Sequence, residues 1–359
     1  MADFLKDQII TYIGNKRLLL GEIQALLHYI KEKEGKEEFF CGDLFAGSGI
    51  VARLLKGHAS WLVVNDLEHY SRVINSCYLS NRSDFDEEAY DRYRIELENL
   101  PKVPGLISAH YAPGDDDEIL PGERAFYTRE NALRIDTYRR GIDDLPQEMK
   151  KYFLAPLLYG ASVHVNTGGV FKGFYKDRRT GVGKFGGTGE NALQRIKGRI
   201  TLQKPVLSER ECPVEIYRRD ASELAEALPP MDLVYLDPPY NQHPYGSNYF
   251  MLNVIAENRL EGKISPVSGI PAGWNRSAYN KKNQAKDVLS DLIRKLKCKY
   301  IILSYNSEGF ISYEEILDML GDAGRVIPRE MKYNTYRGSR NLENRSIYVN
   351  EYLFLLEKE

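Results

Sequence analysis

The sequence has no apolar run long enough to cross a membrane, and its first residues do not form the apolar core of a signal peptide. Cysteine is scarce as well: four residues in 359, scattered along the chain, with no metal-ligand spacing among them or with the six histidines. These absences argue against a membrane protein, a disulfide framework and a structural zinc site. We therefore expect a cytoplasmic protein with reduced thiols, no membrane contact and no metal.

The chain also lacks a large net charge, because 49 Lys and Arg against 51 Asp and Glu leave a formal charge of −2. Any surface that binds a polyanion must then come from a local excess of positively charged residues. Residues 84–118 carry eleven acids against three bases, a net of −8, and include an acidic run at 115–118. That run could bind a metal ion, but a solvated acidic loop is the better interpretation.

Two stretches are basic. Residues 166–204 hold nine Lys and Arg against two acids, a net of +7, and residues 263–286 hold five bases and no acid. Glycines and aromatics are interleaved with these cations, a composition that can follow a phosphate backbone and stack or wedge against bases. A glycine-rich surface loop with ordinary lysines is the alternative. The cations that we predict to bind nucleic acid are Lys172, Lys176, Arg178, Arg179, Lys184, Arg276, Lys281 and Lys282.

The stretch Asp237-Pro238-Pro239-Tyr240 follows an apolar run, 233–236, that predicts a buried strand. The two prolines have no backbone N–H and cannot continue a central ladder, so the chain must leave the sheet at Asp237. Ligands bind at that edge of open α/β sheets. A carboxylate that accepts hydrogen bonds and a tyrosine ring that offers a stacking face suit a flat heterocycle with an exocyclic amine. A strand followed by a proline-rich turn is the plainer alternative.

A second motif has the order strand, glycine-rich loop and helix, over residues 39–56. Gly47 and Gly49 would let the backbone approach a ligand closely, and their spacing loosely fits the dinucleotide fingerprint. The next predicted strand, 61–65, ends at an acid that could accept hydrogen bonds from ribose hydroxyls, in NAD or in S-adenosylmethionine alike. Acids at predicted strand ends recur along the chain and together indicate a ligand crevice at one sheet edge: Asp43, Asp66, Asp220 and Asp237.

These motifs appear in the order seen in Dam-type (D12 class) DNA adenine-N6 methyltransferases, which the chain resembles over nearly its whole length. The resemblance is strongest at the Asp237 tetrapeptide and the 43–49 loop. It implies an α/β fold, namely a Rossmann-like S-adenosylmethionine-dependent methyltransferase sheet with helices on both faces, plus an inserted, mainly helical target-recognition domain. Residues 1–80 and 206–359 would form the catalytic domain, and residues 81–205 the inserted, DNA-binding domain.

The resemblance also implies residue roles. Tyr12 and Lys16 would hold the methionine part of S-adenosylmethionine, and Phe45 would line the cofactor loop with its two glycines. Asp66 would take the ribose hydroxyls, and Asp220 would meet the cofactor's adenine amine. The residues expected to bind this cofactor are Tyr12, Lys16, Asp43, Phe45, Gly47, Gly49, Asp66, Asp220 and Asp237.

The expected reaction is methylation of the N6 amine of an adenine flipped out of a specific double-stranded DNA sequence. Asp237 and the carbonyl of Pro238 would accept the two N6 hydrogens, and Tyr240 would stack on the base, with Tyr249 or Phe250 nearby. The residues expected to be catalytic are Asp237, Pro238, Pro239 and Tyr240.

The same resemblance suggests a restriction–modification system, with a cognate restriction endonuclease acting separately and a monomeric methyltransferase. Three alternatives stay open on the residues. The amine could belong to RNA adenine, cytosine N4 or a protein glutamine. The glycine loop could serve an NAD-binding Rossmann oxidoreductase. The chain could also be a DNA-binding module that keeps the fold without activity, although the intact Asp237 and Tyr240 argue against this.

Overall fold

The computed structural model describes residues 3–14, 16–260, 262–334 and 348–359. The chain divides into two compact units, each assembled from three segments. Unit 1 comprises Met1–Asn15, Glu68–Glu209 and Tyr245–Asn275. Unit 2 comprises Lys16–Leu67, Arg210–Pro244 and Arg276–Glu359.

Unit 2 contains a sheet of seven strands within the described residues. They are β1 (Phe39–Asp43), β2 (Ala59–Asn65), β3 (Val214–Tyr217), β4 (Met231–Leu236), β5 (Cys298–Asn306), β6 (Gly324–Asn334) and β7 (Tyr348–Lys358). Their order across the sheet is β3-β2-β1-β4-β5-β7-β6. The first five strands run parallel, whereas β7 is antiparallel to both of its neighbours. The strand order reverses between β1 and β4, and a crevice at such a switch point is where open α/β sheets bind ligands.

The α-helices of the described residues are numbered along the chain. They are α1 (Leu20–Glu34), α2 (Ile50–Lys56), α3 (His69–Tyr78), α4 (Glu87–Glu98), α5 (Leu106–His110), α6 (Arg129–Asp143), α7 (Gln147–Val163), α8 (Leu193–Lys197), α9 (Ala221–Ala227), α10 (Tyr245–Asn248), α11 (Phe250–Glu257), α12 (Ala285–Lys295) and α13 (Tyr313–Gly321). Helices α1, α2, α9, α12 and α13 belong to unit 2, and the others belong to unit 1.

The core of unit 2 lies against the sheet. Helices α9, α12 and α13 pack their apolar residues on one face, where Leu289 meets sheet residues such as Val234 and Ile301. On the opposite face, Tyr300 of β5 donates a hydrogen bond of 2.5 Å to Glu34 at the end of α1. The inner parallel strands are buried on both faces, which explains why their sequences are continuous apolar runs and do not alternate with polar residues.

Unit 1 is mainly helical. Its core joins α3, α6, α7 and α11 through apolar and aromatic side chains, among them the fully buried Tyr127 and Phe153. The sequence predicts Thr128 as the N-cap of a helix, and this is confirmed for α6, where the Thr128 hydroxyl accepts a hydrogen bond of 3.2 Å from the backbone N–H of Asn131. No helix in the described part of the chain is both long and apolar enough to cross a membrane.

The prediction of a mixed α/β fold is confirmed. The sequence predicts a helix at 50–56 and a short strand at 214–217, and both have these bounds in the structure. The sequence also predicts a helix over 249–258, and it is confirmed as α11, which has Tyr249 as its N-cap and Asn258 as its C-cap. Strand β6 has no clear strand signal in the sequence. It is an edge strand that contains Pro328 and several charged residues, which hide the usual apolar pattern of a strand.

Candidate active site

The four strand-end acids lie on four neighbouring parallel strands. Asp43 is the last residue of β1, Asp66 follows β2, Asp220 lies three residues after β3, and Asp237 follows β4. Parallel strands place their carboxyl ends at the same edge, so all four acids belong to one edge of the sheet. Asp220 also caps α9, where its carboxylate accepts hydrogen bonds from two backbone N–H groups.

Asn65, the last residue of β2, connects three strand exits. Its amide nitrogen donates to the carbonyls of Leu44 (3.2 Å) and Arg219 (3.1 Å), and its amide oxygen accepts from the Arg219 N–H at 3.0 Å. These bonds fix the loops that follow β1, β2 and β3 against one another. No sequence pattern indicates this role, because asparagine at a strand end is common.

The glycine-rich loop is held by an acid of the neighbouring strand. The Asp66 carboxylate accepts a hydrogen bond of 2.7 Å from the Gly47 N–H. Gly47 and Gly49 have φ values of 51° and 79°, a region that favours glycine, and Gly49 is the N-cap of α2. The Phe45 ring packs edge-on against Tyr279, with 5.2 Å between ring centroids. The predicted loop residues are therefore brought together with Asp66.

Asp43 presents an unusual acceptor at the foot of this loop. The residue is 1% exposed, and one carboxylate oxygen accepts a weak hydrogen bond of 3.3 Å from the Phe45 N–H. Its Oδ2 atom is buried with no hydrogen-bond partner among the described residues. Burial, together with the nearby carboxylates of Asp237 and Asp66, raises the pKa of Asp43 well above its ordinary value. Asp43 and Asp66 thus offer hydrogen-bond acceptors for a ligand that carries amine or hydroxyl donors.

Lys16 lies between two carboxylates of unit 2. Its ammonium is 3.2 Å from Oδ1 of Asp237 and 3.4 Å from Oε2 of Glu351. The side chains of Lys16 and Glu351 are 4% and 1% exposed, whereas that of Asp237 is 20% exposed. The Asn306 amide donates a hydrogen bond of 2.8 Å to the other oxygen of Glu351. These four side chains, which we call the lysine cluster, join the exits of β4 and β5 to β7.

The charges of the lysine cluster shift two pKa values. Burial disfavours the Lys16 ammonium, but the Asp237 and Glu351 carboxylates outweigh it and hold the pKa of Lys16 well above its ordinary value. Burial raises the pKa of Asp237 to about 6, a shift that Lys16 opposes and Glu351 reinforces. Asp237 is therefore a mostly ionised acceptor at neutral pH, and it becomes protonated as the pH falls below about 6.

The turn after β4 is anchored to β5 and the loop that follows it. The Tyr240 carbonyl accepts a hydrogen bond of 2.9 Å from the Phe310 N–H, and the half-buried Tyr240 ring lies edge-on to Tyr305 with 6.3 Å between centroids. Burial raises the pKa of Tyr240 to about 12, so the ring stays a neutral phenol. The tetrapeptide is thus presented in a fixed conformation at the strand exit.

A family model for the D12 class N6 adenine-specific DNA methyltransferases matches residues 12–319, most of the chain. The chain belongs to this family. It is therefore an enzyme that methylates adenine at N6 in DNA, and the D12 resemblance of the motifs is confirmed.

Curated relatives agree with this assignment. The methyltransferase is 31% identical to "Type II methyltransferase M.NlaIII" of Neisseria lactamica, over 97% of this chain and 99% of the relative. It is 29% identical to "Type II methyltransferase M.CviAII" of Paramecium bursaria Chlorella virus 1, over 97% and 98%. A third relative, "Modification methylase StsI" of Streptococcus sanguinis, is 28% identical over 97% of this chain but only 52% of its own length.

Tyr12 belongs to unit 1, where it lies in an aromatic stack. Its ring is nearly parallel to Tyr245, with 5.1 Å between centroids, and packs on Tyr249 at 4.6 Å. The Tyr249 hydroxyl accepts a hydrogen bond of 2.6 Å from the Ile13 N–H. Tyr249 and Phe250, the expected neighbours of the flipped base, are both buried in the core of unit 1.

Five of the predicted DNA-binding cations lie in unit 1 on or beside an antiparallel hairpin, residues 175–184, which we call the basic hairpin. Lys176 pairs with Gly183, and the Asp177 carboxylate accepts backbone hydrogen bonds from Arg179 (3.0 Å) and Thr180 (2.9 Å) to form the turn. The cations are all exposed: Lys172, Lys176, Arg178, Arg179 and Lys184.

The other three predicted cations belong to unit 2. Arg276, Lys281 and Lys282 are exposed on the segment before α12. The Asn280 amide donates a hydrogen bond of 2.7 Å to the carbonyl of Asn241, the residue after Tyr240. Lys281 and Lys282 therefore directly follow a residue that is hydrogen-bonded to the loop after the tetrapeptide. In the described residues, no three His, Cys, Asp or Glu side chains are grouped as a metal site.

Proposed function

We propose that the Asp237 tetrapeptide is the catalytic site for methylation of adenine N6, with S-adenosylmethionine as methyl donor. The observation that carries the proposal is the Asp237 carboxylate at the exit of β4, held 3.2 Å from the buried Lys16 ammonium. An ionised acceptor at a strand exit, followed by an aromatic ring, suits an exocyclic amine on a flat base.

The chemical problem is the weak nucleophilicity of the adenine amine, whose lone pair is delocalised into the ring. Asp237 and the Pro238 carbonyl would accept the two N6 hydrogens and draw the nitrogen toward tetrahedral geometry, which frees the lone pair. The Tyr240 ring would stack on the flipped base and fix its plane. S-adenosylmethionine, when bound, supplies an electrophilic methyl group on a sulfonium sulfur, and its leaving group is a neutral thioether. The protein's own contribution is then positioning and electrostatics.

The cofactor would be held at the edge formed by β1 and β2. Asp66 and Asp43 offer acceptors there, and the Gly47–Gly49 loop allows close approach of the backbone. Asp220 follows β3, the strand next to β2. Phe45 would supply an apolar contact. The roles of Tyr12 and Lys16 toward the methionine part stay predictions from the family resemblance.

The cofactor assignment predicts that two substitutions of Asp66 lower the affinity for S-adenosylhomocysteine by different amounts. Asp66→Ala removes a carboxylate acceptor and the bond to Gly47, so S-adenosylhomocysteine should bind about 10- to 100-fold more weakly, the effect of one hydrogen bond to a charged group. Asp66→Asn keeps an oxygen for the Gly47 N–H and should lose less. Calorimetric titration with S-adenosylhomocysteine measures both, and equal affinity of the Ala variant and wild type would contradict the assignment.

We further propose that unit 1, which includes the 81–205 segment, recognises the DNA target, and that the basic hairpin contacts the phosphate backbone. Its turn carries two adjacent exposed arginines, and Lys176 lies 4.9 Å from the centroid of the Phe174 ring, a cation–π contact that braces its base. Arg276, Lys281 and Lys282 would add backbone contacts near the catalytic turn.

Replacing Arg178 and Arg179 together with alanine should weaken DNA binding uniformly across sequences. If each arginine neutralises one phosphate, the slope of log affinity against log salt should fall by about two. Fluorescence anisotropy of a labelled duplex at several salt concentrations measures this slope. Arg92→Ala, on the exposed face of α4, is the matched control and should leave the slope unchanged. An unchanged slope in the double variant would rule out phosphate contacts by this turn.

The relatives named as Type II methyltransferases or modification methylases support a place in a restriction–modification system. In that setting the protein would act on double-stranded DNA in the cytoplasm, as a monomer, with a cognate endonuclease acting separately. Sequencing of methylated host DNA would test this, because a modification enzyme marks every copy of one short sequence.

A further inference from the structure

Glu351 is a buried acid that lies near the start of an antiparallel strand, and Lys16 and Asn306 of unit 2 are among its partners. Its Oε2 atom is 3.4 Å from the Lys16 ammonium, and its Oε1 atom accepts the 2.8 Å hydrogen bond from Asn306. The residue is 1% exposed. A buried carboxylate is costly unless it is paired and hydrogen-bonded, so a residue kept in this environment needs an explanation.

The sheet topology explains how a residue near the end of the chain reaches the catalytic edge. β7 runs antiparallel to β5, and Glu351 lies directly opposite Asn306 in their register. The amino end of β7 therefore lies beside the carboxyl end of β5, which neighbours β4 and the Asp237 exit. The antiparallel strand thus adds a carboxylate to an edge that is otherwise formed by the exits of parallel strands.

We propose that Glu351 is a positioning residue for the methyl transfer: together with Asn306 it holds the Lys16 ammonium against Asp237 and adds a buried negative charge behind the proposed catalytic carboxylate. The proposal rests on the proposed catalytic role of Asp237. Positive charge develops on the amine nitrogen during transfer, and a fixed negative charge nearby stabilises it.

Removal of the Glu351 charge should lower both the pKa of Asp237 and the rate of methylation. Among the described residues, Lys16 lowers the pKa of Asp237 and Glu351 raises it, and the buried carboxyl of Asp43 also interacts with Asp237. The phenols Tyr235 and Tyr240 also face Lys16. Without the Glu351 charge the pKa of Asp237 falls, so the acid limb of the methylation profile moves to lower pH. The rate on the plateau falls as well, by about 10- to 100-fold, because the substitution removes a buried negative charge that would stabilise the positive charge developing on the amine.

The test is the pH profile of single-turnover methylation for Glu351→Gln, with the protein saturated in S-adenosylmethionine and DNA. Glu357→Gln is the matched control: it lies on the same strand, pairs with Lys33 at 2.6 Å, and is about 20 Å further along β7. We expect an acid limb at lower pH and a lower plateau only for Glu351→Gln, with S-adenosylhomocysteine affinity by calorimetry unchanged in both variants.

A purely structural role would give a different result. Glu351→Gln would then lower the thermal unfolding midpoint but its pH profile would superimpose on that of wild type, which overturns the proposal. If Glu351→Gln does not fold, Asn306→Ala replaces it. That variant keeps the Glu351 charge but loses the amide that orients it, so the plateau rate should fall at unchanged S-adenosylhomocysteine affinity, and a wild-type rate would overturn the proposal. Methylation by Asp237→Ala at the wild-type rate would instead refute the underlying catalytic assignment.

Discussion

Asp237→Asn is expected to lower the single-turnover rate of adenine methylation by about 10²–10³-fold, the cost of losing one preorganised electrostatic contact in a transition state. Asparagine has nearly the same shape as aspartate but no charge, and one of its two polar groups is a donor that cannot receive an N6 hydrogen. The loss should appear in the chemical step, whereas affinity for S-adenosylhomocysteine and for DNA should stay close to that of wild type.

Asp232→Asn is the matched control for this substitution. Asp232 lies near the start of β4, where its carboxylate pairs with Lys36 at 2.7 Å and accepts a hydrogen bond of 2.9 Å from the Phe40 N–H. Asp232 is at the opposite end of the strand from the proposed site, so the methylation rate of Asp232→Asn should match that of wild type. Rapid-quench measurement of methyl transfer in wild type and both variants gives the comparison. Equal rates for Asp237→Asn and Asp232→Asn would mean that Asp237 is not the acceptor of the amine hydrogens.

Lys16→Met should cost both stability and activity. The substitution removes the ammonium that lies between two carboxylates, and breaking a buried ion pair in this way costs about 3–5 kcal/mol of unfolding free energy. Lys36→Met is the control, because the Lys36–Asp232 pair is exposed and such pairs contribute about 0–1 kcal/mol. Urea unfolding of the two variants at pH 7 measures the difference, and equal losses would contradict the buried pairing.

Lys16→Met should also change the pH dependence of methylation. Lys16 lowers the pKa of Asp237, which burial raises to about 6. Without the ammonium this pKa rises further, so Asp237 stays protonated to higher pH and the acid limb of the methylation profile moves upward. This shift is opposite in sign to the one expected for Glu351→Gln. An acid limb that moves in the same direction in both variants would contradict the electrostatic role of the lysine cluster.

Much of the proposed catalytic edge is predictable because buried parallel strands have a simple sequence pattern. Apolar runs that are buried on both faces end abruptly at acids, and this pattern alone places Asp43, Asp66 and Asp237 correctly at strand ends. The capping hydroxyl of Thr128 is predictable in the same way, since it acts on its own helix. Local interactions of this kind need only residues that are close to one another in the chain.

Glu351 escapes prediction because the rule that finds the other acids applies only to the ends of parallel strands. Glu351 lies near the beginning of an antiparallel strand, and only the pairing of β5 with β7 brings it to the edge. The partnership of Asn280 with Asn241 is similar, since it depends on how two loops fold back on each other. Such contacts are fixed by long-range packing, which no local pattern encodes.

The set of chain segments that forms unit 1 likewise cannot be predicted from local sequence patterns alone. The segment 81–205 can be delimited by its break in α/β alternation, but the compact unit also takes in Met1–Asn15 and Tyr245–Asn275. Helix α11 joins that core through buried residues such as Met251 and Leu252, which the sequence indicates only as part of an apolar helix. The surface against which such a helix packs is decided by the shape of the whole core, which depends on residues far away in the chain.

The central claim, that Asp237 directs methylation of adenine N6, is tested most directly by product analysis after methyl transfer. Wild-type protein and Asp237→Asn would each be incubated with labelled S-adenosylmethionine and unmethylated double-stranded DNA, followed by digestion to nucleosides and mass spectrometry. We predict label in N6-methyladenine for the wild type and a loss of at least about 10²-fold for the variant. Label in N4-methylcytosine, in RNA or in protein, or equal N6-methyladenine from both proteins, would contradict the claim.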